Sequence, residues 1–182
     1  QYYHKSKLVP GVELMPYPAL FRFLEPLAIK LGGSAGSLGR QKECTVFQFN
    51  DTIAFAPIIC YESIYGEYVT EYVKKGARFL AIITNDGWWG NTPGYRQHLY
   101  YGTLRAIETR RSIARCANTG ISCFINQRGD ILKETQWWKM TTINGKINLN
   151  DTITFYTRYG DYLGKIAIIL CIYLLISLYR RL

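Results

Sequence analysis

The 182-residue chain has only two histidines, five cysteines and no CxxC pair. His4 and His98 are far apart, and no cysteine stands at ligand spacing from either, which argues against a zinc site. The cysteines, at 44, 60, 116, 123 and 171, are odd in number, so at least one thiol is free and the set is not a disulfide framework. Acidic residues are scarce too, 13 against 22 lysines and arginines, for a formal charge of +9. Nucleic acid could explain that excess, but the basic residues are scattered and no RNP, zinc-finger or recognition-helix pattern accompanies them. An anionic lipid surface explains the charge better. The stretch GGSAGSLGR, 32–40, lacks the G-K-[ST] ending of a phosphate-binding loop. There is no internal repeat and no low-complexity tract.

What is present is apolar and aromatic. Hydrophobic residues make up 48% and aromatics 15%, a composition that folds, in a length that suits one globular unit. Helical spacing runs over 20–31, with Pro26 a break or kink inside it. CTVFQF and IAFAPIIC read as two strands joined by NDT, which is hairpin punctuation. A helix is expected over 63–75, stopped by Lys74-Lys75-Gly76. RFLAIIT reads as a strand buried on both faces, and NDGWWGNTPG as a loop. The longest helix is expected over 95–118, with Tyr100, Leu104, Ile107 and Ala114 on its apolar stripe. GISCFINQRGDILKE reads as two strands around a turn at 128–130. Strands alternating with helices argue for a layered α/β domain.

The two ends differ. The C-terminal stretch 162–179 is about 18 residues and about 27 Å long as a helix, enough to span a bilayer if Lys165 snorkels to the interface. Tyrosines at both ends and a terminal Arg-Arg fit an aromatic belt and a positive-inside anchor, which places Arg180 and Arg181 in the cytoplasm and the rest of the chain opposite. A buried core helix is the other reading. The start, QYYHKSKLVPG, has neither an initiator Met nor a signal-peptide core, so a fragment of a longer protein is expected, with a domain over 1–160 and a membrane helix over 161–182.

Cys60 stands where an apolar strand gives way to Tyr61, Glu62 and Ser63. Backbone N–H groups and a helix N-terminus there favour thiolate and can hold an oxyanion. Core filling by a small thiol is the competing reading, and it is the one taken for Cys44, Cys116, Cys123 and Cys171. Lys5 precedes an apolar Leu-Val-Pro and Glu13; it is either a cation held beside a thiolate or a solvated lysine. Trp88 and Trp89 follow a buried strand, where open α/β folds bind ligands, or they simply pack. Trp137 and Trp138 could touch membrane or pack.

Taken in order, YHKSKLVPGVE, ICYE and TNDGWWG resemble the carbon-nitrogen hydrolase (nitrilase) superfamily and, within it, the apolipoprotein N-acyltransferase branch. LRAIETRRSIARCANTGISCFINQRGDIL is similar to the superfamily's helix and hairpin beyond the active-site loop. The resemblance covers nearly the whole chain, and the terminal apolar helix is what the acyltransferase branch adds. It implies part of an αββα sandwich followed by one transmembrane helix, with a Glu-Lys-Cys triad in which Cys60 is the nucleophile and Lys5 the lysine. Glu13, Tyr61 and Glu62 then support the site and Trp88 lines it. The triad glutamate lies upstream of the lysine in the family, so this chain alone is expected to be inactive. The chain departs from the family's usual LVPFGE at LVPGVE and from its usual histidine at Lys7. The implied reaction is ping-pong acyl transfer from a membrane phospholipid, through a thioester, to the N-terminal amine of an apolipoprotein. It needs no metal or organic cofactor, and it occurs at the bacterial inner membrane with the domain on the periplasmic side. A soluble-type amidase or nitrilase of the same superfamily and a non-catalytic membrane-anchored fragment are the alternatives.

Overall fold

The computed structural model describes residues 1–10, 12–14 and 38–180. The helix expected over 20–31 and most of the glycine-rich loop lie outside the described residues. Six strands form one mixed sheet in sequence order: β1 (Phe47–Asn50), β2 (Ile53–Ile59), β3 (Ala77–Asn85), β4 (Ile113–Asn118), β5 (Cys123–Ile125) and β6 (Ile131–Glu134). β2, β3 and β4 are parallel, while β1 and the β5–β6 hairpin are antiparallel to their neighbours. The β1–β2 turn is tied by Asn50, whose side-chain oxygen accepts from the Thr52 and Ile53 amides at 3.0 and 2.8 Å. That is the Asx-type closure expected of NDT.

Parallel strands need crossovers, and two helices supply them. Helix α1 (Gly66–Lys74) joins β2 to β3, and α2 (Pro93–Thr109) joins β3 to β4. Both pack on one sheet face, where Val69, Tyr72 and Val73 of α1 and Leu99 and Ala106 of α2 meet Ile58, Leu80, Ile82, Ile113 and Ile125. Ile58 pairs with Ile82, and Leu80 with Ile113, which aligns these side chains across the strands. Each fully buried side chain of this kind contributes roughly 1.5–3 kcal/mol. Short α3 (Phe155–Tyr159) packs on α1 and α2, and α4 (Tyr162–Tyr179) follows it.

Four readings of the sequence need correction. The helix expected from Ser63 begins at Gly66; residues Cys60–Ile64 wind as a tight 3-10 turn, and Tyr65 is extended. The helix expected over 95–118 ends at Thr109, where Arg110 turns left-handed with φ 52°, and Ile113–Asn118 is β4. The apolar stripe of α2 faces outward, with Tyr100, Leu104 and Ile107 exposed, whereas its buried face includes His98, Arg105 and Thr109. Burying these polar groups is possible because they are paired: Arg105 donates to the Ile64 carbonyl and to Glu108, both at 2.9 Å. Lastly, β3 is buried on its helix-facing side only, and Ile83 is 51% exposed.

Helix α4 is 18 residues long with a mean hydropathy of 2.0 and no buried side chain. It is long and apolar enough to cross a membrane, and it is not a core helix of this unit. Of the remaining cysteines, Cys44 and Cys123 are buried as expected, whereas Cys116 and Cys171 are exposed. Burial pushes the Cys123 thiol up to about 11, so it stays a neutral core residue.

Candidate active site

Parallel strands leave their C-terminal ends open where the chain turns into each crossover. β2 ends at Ile59 and β3 at Asn85, residues in adjacent strands, and each is followed by a 3-10 turn, Cys60–Ile64 and Asp86–Trp89. A cavity of about 500 Å³ opens between these turns and the start of α2, lined by Cys60, Tyr61, Trp88, Trp89, Tyr101 and Glu13 among others. The expectation of a long α-helix dipole acting on Cys60 is not met, since the residues after it form the short turn.

Cys60 occupies the left-handed region at φ 50°, unusual for a residue with a side chain. Its strain is held from several sides. The carboxylate of Glu62, fully buried, accepts from the Ile59 amide at 2.8 Å on one oxygen. Its other oxygen accepts from the Tyr3 hydroxyl and the Ser6 amide, both at 2.6 Å, and from the Lys7 amide at 3.3 Å. Glu62 thus fastens the segment that carries Lys5 to the turn that carries Cys60, two pieces of chain more than fifty residues apart. Burial and the Glu62 carboxylate push the Tyr3 phenol far up, which keeps it a donor. Lys7 caps the same corner, its ammonium 4.9 Å from the centre of the Tyr68 ring.

Lys5 donates to both oxygens of Glu13, at 2.8 and 2.6 Å, and its side chain is only 11% exposed. The Val9 amide also donates to Glu13, at 2.8 Å. With both oxygens engaged, Glu13 orients the lysine rather than standing free, and it forms part of the cavity wall. The two indoles also line the cavity, Trp88 60% and Trp89 44% exposed. Gly94 at the start of α2 makes room for Trp89, because a methyl group there would lie 2.6 Å from the indole ring. Trp137 stacks on Tyr95 at 3.9 Å, a packing role, while Trp138 is exposed.

All six residues singled out in the sequence therefore gather at this corner. Cys60, Tyr61, Glu13 and Trp88 line the cavity; Lys5 is not in its lining but pairs with Glu13, and Glu62 ties the two segments together. Sequence reasoning missed Asp86 and His98, both buried and at a Nδ1–Oδ1 distance of 2.9 Å, with His98 bordering the cavity. The only signal was an aspartate ending a strand and a histidine in the second turn of the helix that returns to it. Among the described residues no group of histidine, cysteine and carboxylate side chains could hold a metal ion.

Fold and site define a layered α/β protein with a free thiol on a left-handed residue at a parallel strand end, beside a lysine–carboxylate pair. A family profile for carbon-nitrogen hydrolases matches residues 1–156, and the chain belongs to that family. Among curated proteins, apolipoprotein N-acyltransferase from Chlorobaculum tepidum is 40% identical over 172 residues, covering 92% of this chain and 32% of that protein. The Thermotoga maritima protein of the same name is 32% identical over 173 residues, covering 93% of this chain and 33% of the relative. The chain spans about a third of the length of these relatives. Among solved structures, an amidase from Nesterenkonia sp. AN1, carrying a Michael adduct of acrylamide on its active-site cysteine, superposes with a TM-score of 0.53 at 16% identity. That match covers 91% of this chain and 56% of the amidase, and it shows the shared fold.

Proposed function

We propose that this chain is part of an apolipoprotein N-acyltransferase, with a catalytic domain over 1–160 and a membrane anchor over 161–182. The observation that carries the reading is the strained, free Cys60 facing a cavity beside the Lys5–Glu13 pair, in a chain that also bears a span-length apolar helix. The relatives' shared name supports the acyl-transfer chemistry, and the helix supports a membrane setting.

The reaction has two halves. Cys60 Sγ attacks the ester carbonyl carbon of a membrane phospholipid, and the carbonyl π electrons move onto oxygen, where the Lys5 ammonium stabilises them. Collapse breaks the carbon–oxygen bond and releases a lysophospholipid, which takes up the proton the thiol gave to a general base. In the family's triad that base is a glutamate; Glu13, already holding Lys5, is the positioning carboxylate. The thioester then accepts the N-terminal α-amine of a diacylglyceryl-cysteine apolipoprotein. The amine gives a proton to the same general base as the amide forms, the carbon–sulfur bond breaks, and the departing Cys60 thiolate takes that proton back. A thioester suits this order because it reacts readily with amines and is sheltered from water in an apolar cavity. Tyr61 and Trp88 hold the acyl chain against the cavity wall. The domain sits on the periplasmic side of the inner membrane, where both substrates present their head groups.

The test is transfer of a labelled acyl chain from phospholipid to a diacylglyceryl-cysteine lipopeptide by the full-length protein in detergent or vesicles. Labelled lipopeptide with the natural protein and none with Cys60→Ser is expected. Equal product from both sinks the thioester route, and hydrolysis of small amides without lipid transfer favours the amidase alternative.

A further inference from the structure

Behind Cys60 lies a buried chain of polar groups that the acyl-transfer chemistry does not use. Arg115 on β4 donates to Asp86 Oδ2 at 2.7 Å, and Thr84 donates to Asp86 Oδ1 at 3.0 Å. The same Oδ1 lies 2.9 Å from His98 Nδ1. The far ring nitrogen, Nε2, lies 3.2 Å from the main-chain carbonyl oxygen of Cys60 and 3.1 Å from Ser63 Oγ. Ser63 in turn donates to the Cys60 carbonyl at 2.8 Å. Asp86 is fully buried, and His98, Arg115 and Ser63 are nearly so. Burial alone would push the Asp86 carboxyl up, but His98 and the Arg115 guanidinium hold it below the usual carboxylate range, so it stays a charged acceptor.

The carbonyl this chain grips belongs to the left-handed residue. A side-chain-bearing residue at φ 50° is strained and persists only where its surroundings fix it. Rotation about the Cys60 N–Cα bond, the torsion held at φ 50°, moves this carbonyl and the Cβ that bears the thiol together. We propose that His98, oriented by Asp86 and Arg115, is a positioning residue that fixes the Cys60 carbonyl and thereby aims its thiol. This rests on Cys60 being the nucleophile, as proposed above. His98 also borders the cavity; its proposed role runs through the backbone of Cys60.

The proposed role needs an N–H on both ring nitrogens, Nδ1–H donating to Asp86 and Nε2–H to the Cys60 carbonyl, and substitutions can divide the two. In His98→Asn the amide reaches Asp86 but falls short of the Cys60 carbonyl; in His98→Gln it can extend to about the Nε2 position. The readout is the rate of iodoacetamide alkylation at Cys60, followed by peptide mass spectrometry on the full-length protein, together with its melting temperature. A thiol turned away from the backbone N–H groups that favour thiolate alkylates more slowly, and a reacting group misplaced by about an ångström costs a positioned reaction roughly a hundredfold. His98→Asn is expected to alkylate several-fold more slowly and to lose kcat in acyl transfer by up to that hundredfold with KM kept, while His98→Gln recovers to within a few-fold of the natural protein. Alkylation of His98→Asn at the natural rate overturns the proposal, as does a His98→Gln variant no better than His98→Asn at equal melting temperature. If both unfold, Ser63→Ala decides, because it removes a donor from the same carbonyl: slower alkylation in the folded variant supports the proposal, and an unchanged rate overturns it. Alkylation does not depend on the lipid substrate. A natural protein whose Cys60 alkylates but transfers no acyl chain would defeat the acyltransferase reading and leave this inference standing.

Discussion

Two turns, Cys60–Ile64 after β2 and Asp86–Trp89 after β3, occupy equivalent places in the sheet and are built alike, as 3-10 turns with a fully buried carboxylate near the start. They differ in what the carboxylate holds. Glu62 collects main-chain amides and a phenol from the N-terminal segment, so its turn is fixed to a distant piece of chain. Among the described residues Asp86 collects side chains, from Thr84, His98 and Arg115. The first turn presents a strained thiol with little freedom, and the second presents two half-exposed indoles whose packing can adapt. On the proposed function, a turn fixed from several sides carries the thiol and the half-exposed indoles meet the acyl chain.

Breaking the first turn is expected to have the largest effect. Glu62→Ala strands several buried donors and should cost about 3 kcal/mol of stability as well as nearly all acyl transfer. Chemical denaturation of the full-length protein, read beside the transfer assay, measures both. Were Glu62→Ala as stable as the natural protein, the tie between the two segments would not exist.

Breaking the second turn at its base should come next. Asp86→Asn leaves the Arg115 charge buried without its partner and is expected to cost about 3 kcal/mol. The sign with pH follows from its carboxyl lying below the usual range when folded. That contribution is present above the unfolded value, about 3.9, and is lost as pH falls through the lower folded value. Melting curves between pH 5 and pH 2.5 should therefore show a steeper acid limb in the natural protein than in Asp86→Asn.

Removing the indoles should be milder. Trp88→Ala, at a largely exposed side chain, is expected to change stability by less than about 1 kcal/mol and to act chiefly on KM for the lipid donor. A fall in kcat with KM unchanged would assign Trp88 to the chemistry instead. The smallest effect is expected at Lys7, where Lys7→Gln removes a cation over an aromatic ring worth about 0.5–1 kcal/mol.

The ease of reading these features from sequence follows the same division. Cys60, Lys5 and Glu13 were singled out because their stretches together resemble a known family, each residue alone leaving a bland reading open, whereas β2, β3 and the β5–β6 hairpin were legible because apolar runs bounded by Asn, Asp and Gly carry their own punctuation. The α2–β4 boundary was not legible. TRRSIARCAN keeps a helix-compatible composition, and the break depends on Arg110 turning left-handed while Arg111 is buried, donating to the Ala77 carbonyl at 2.8 Å. Tertiary contacts made that choice. The same holds for α2, where Tyr100, Leu104 and Ile107 suggested the inner face but the inner face is the one whose His98 and Arg105 find partners. The polar chain behind Cys60 joins residues from β3, α2 and β4, and no spacing in the sequence announces it.

The central claim is that Cys60 carries the acyl group. It is tested most directly by mass spectrometry of the Cys60 peptide from full-length protein purified with membrane lipid, before and after neutral hydroxylamine, which cleaves thioesters. The account predicts a fatty-acyl mass on Cys60 that hydroxylamine removes and a diacylglyceryl-cysteine lipopeptide discharges. An unmodified Cys60 in protein that still transfers acyl chains would contradict it.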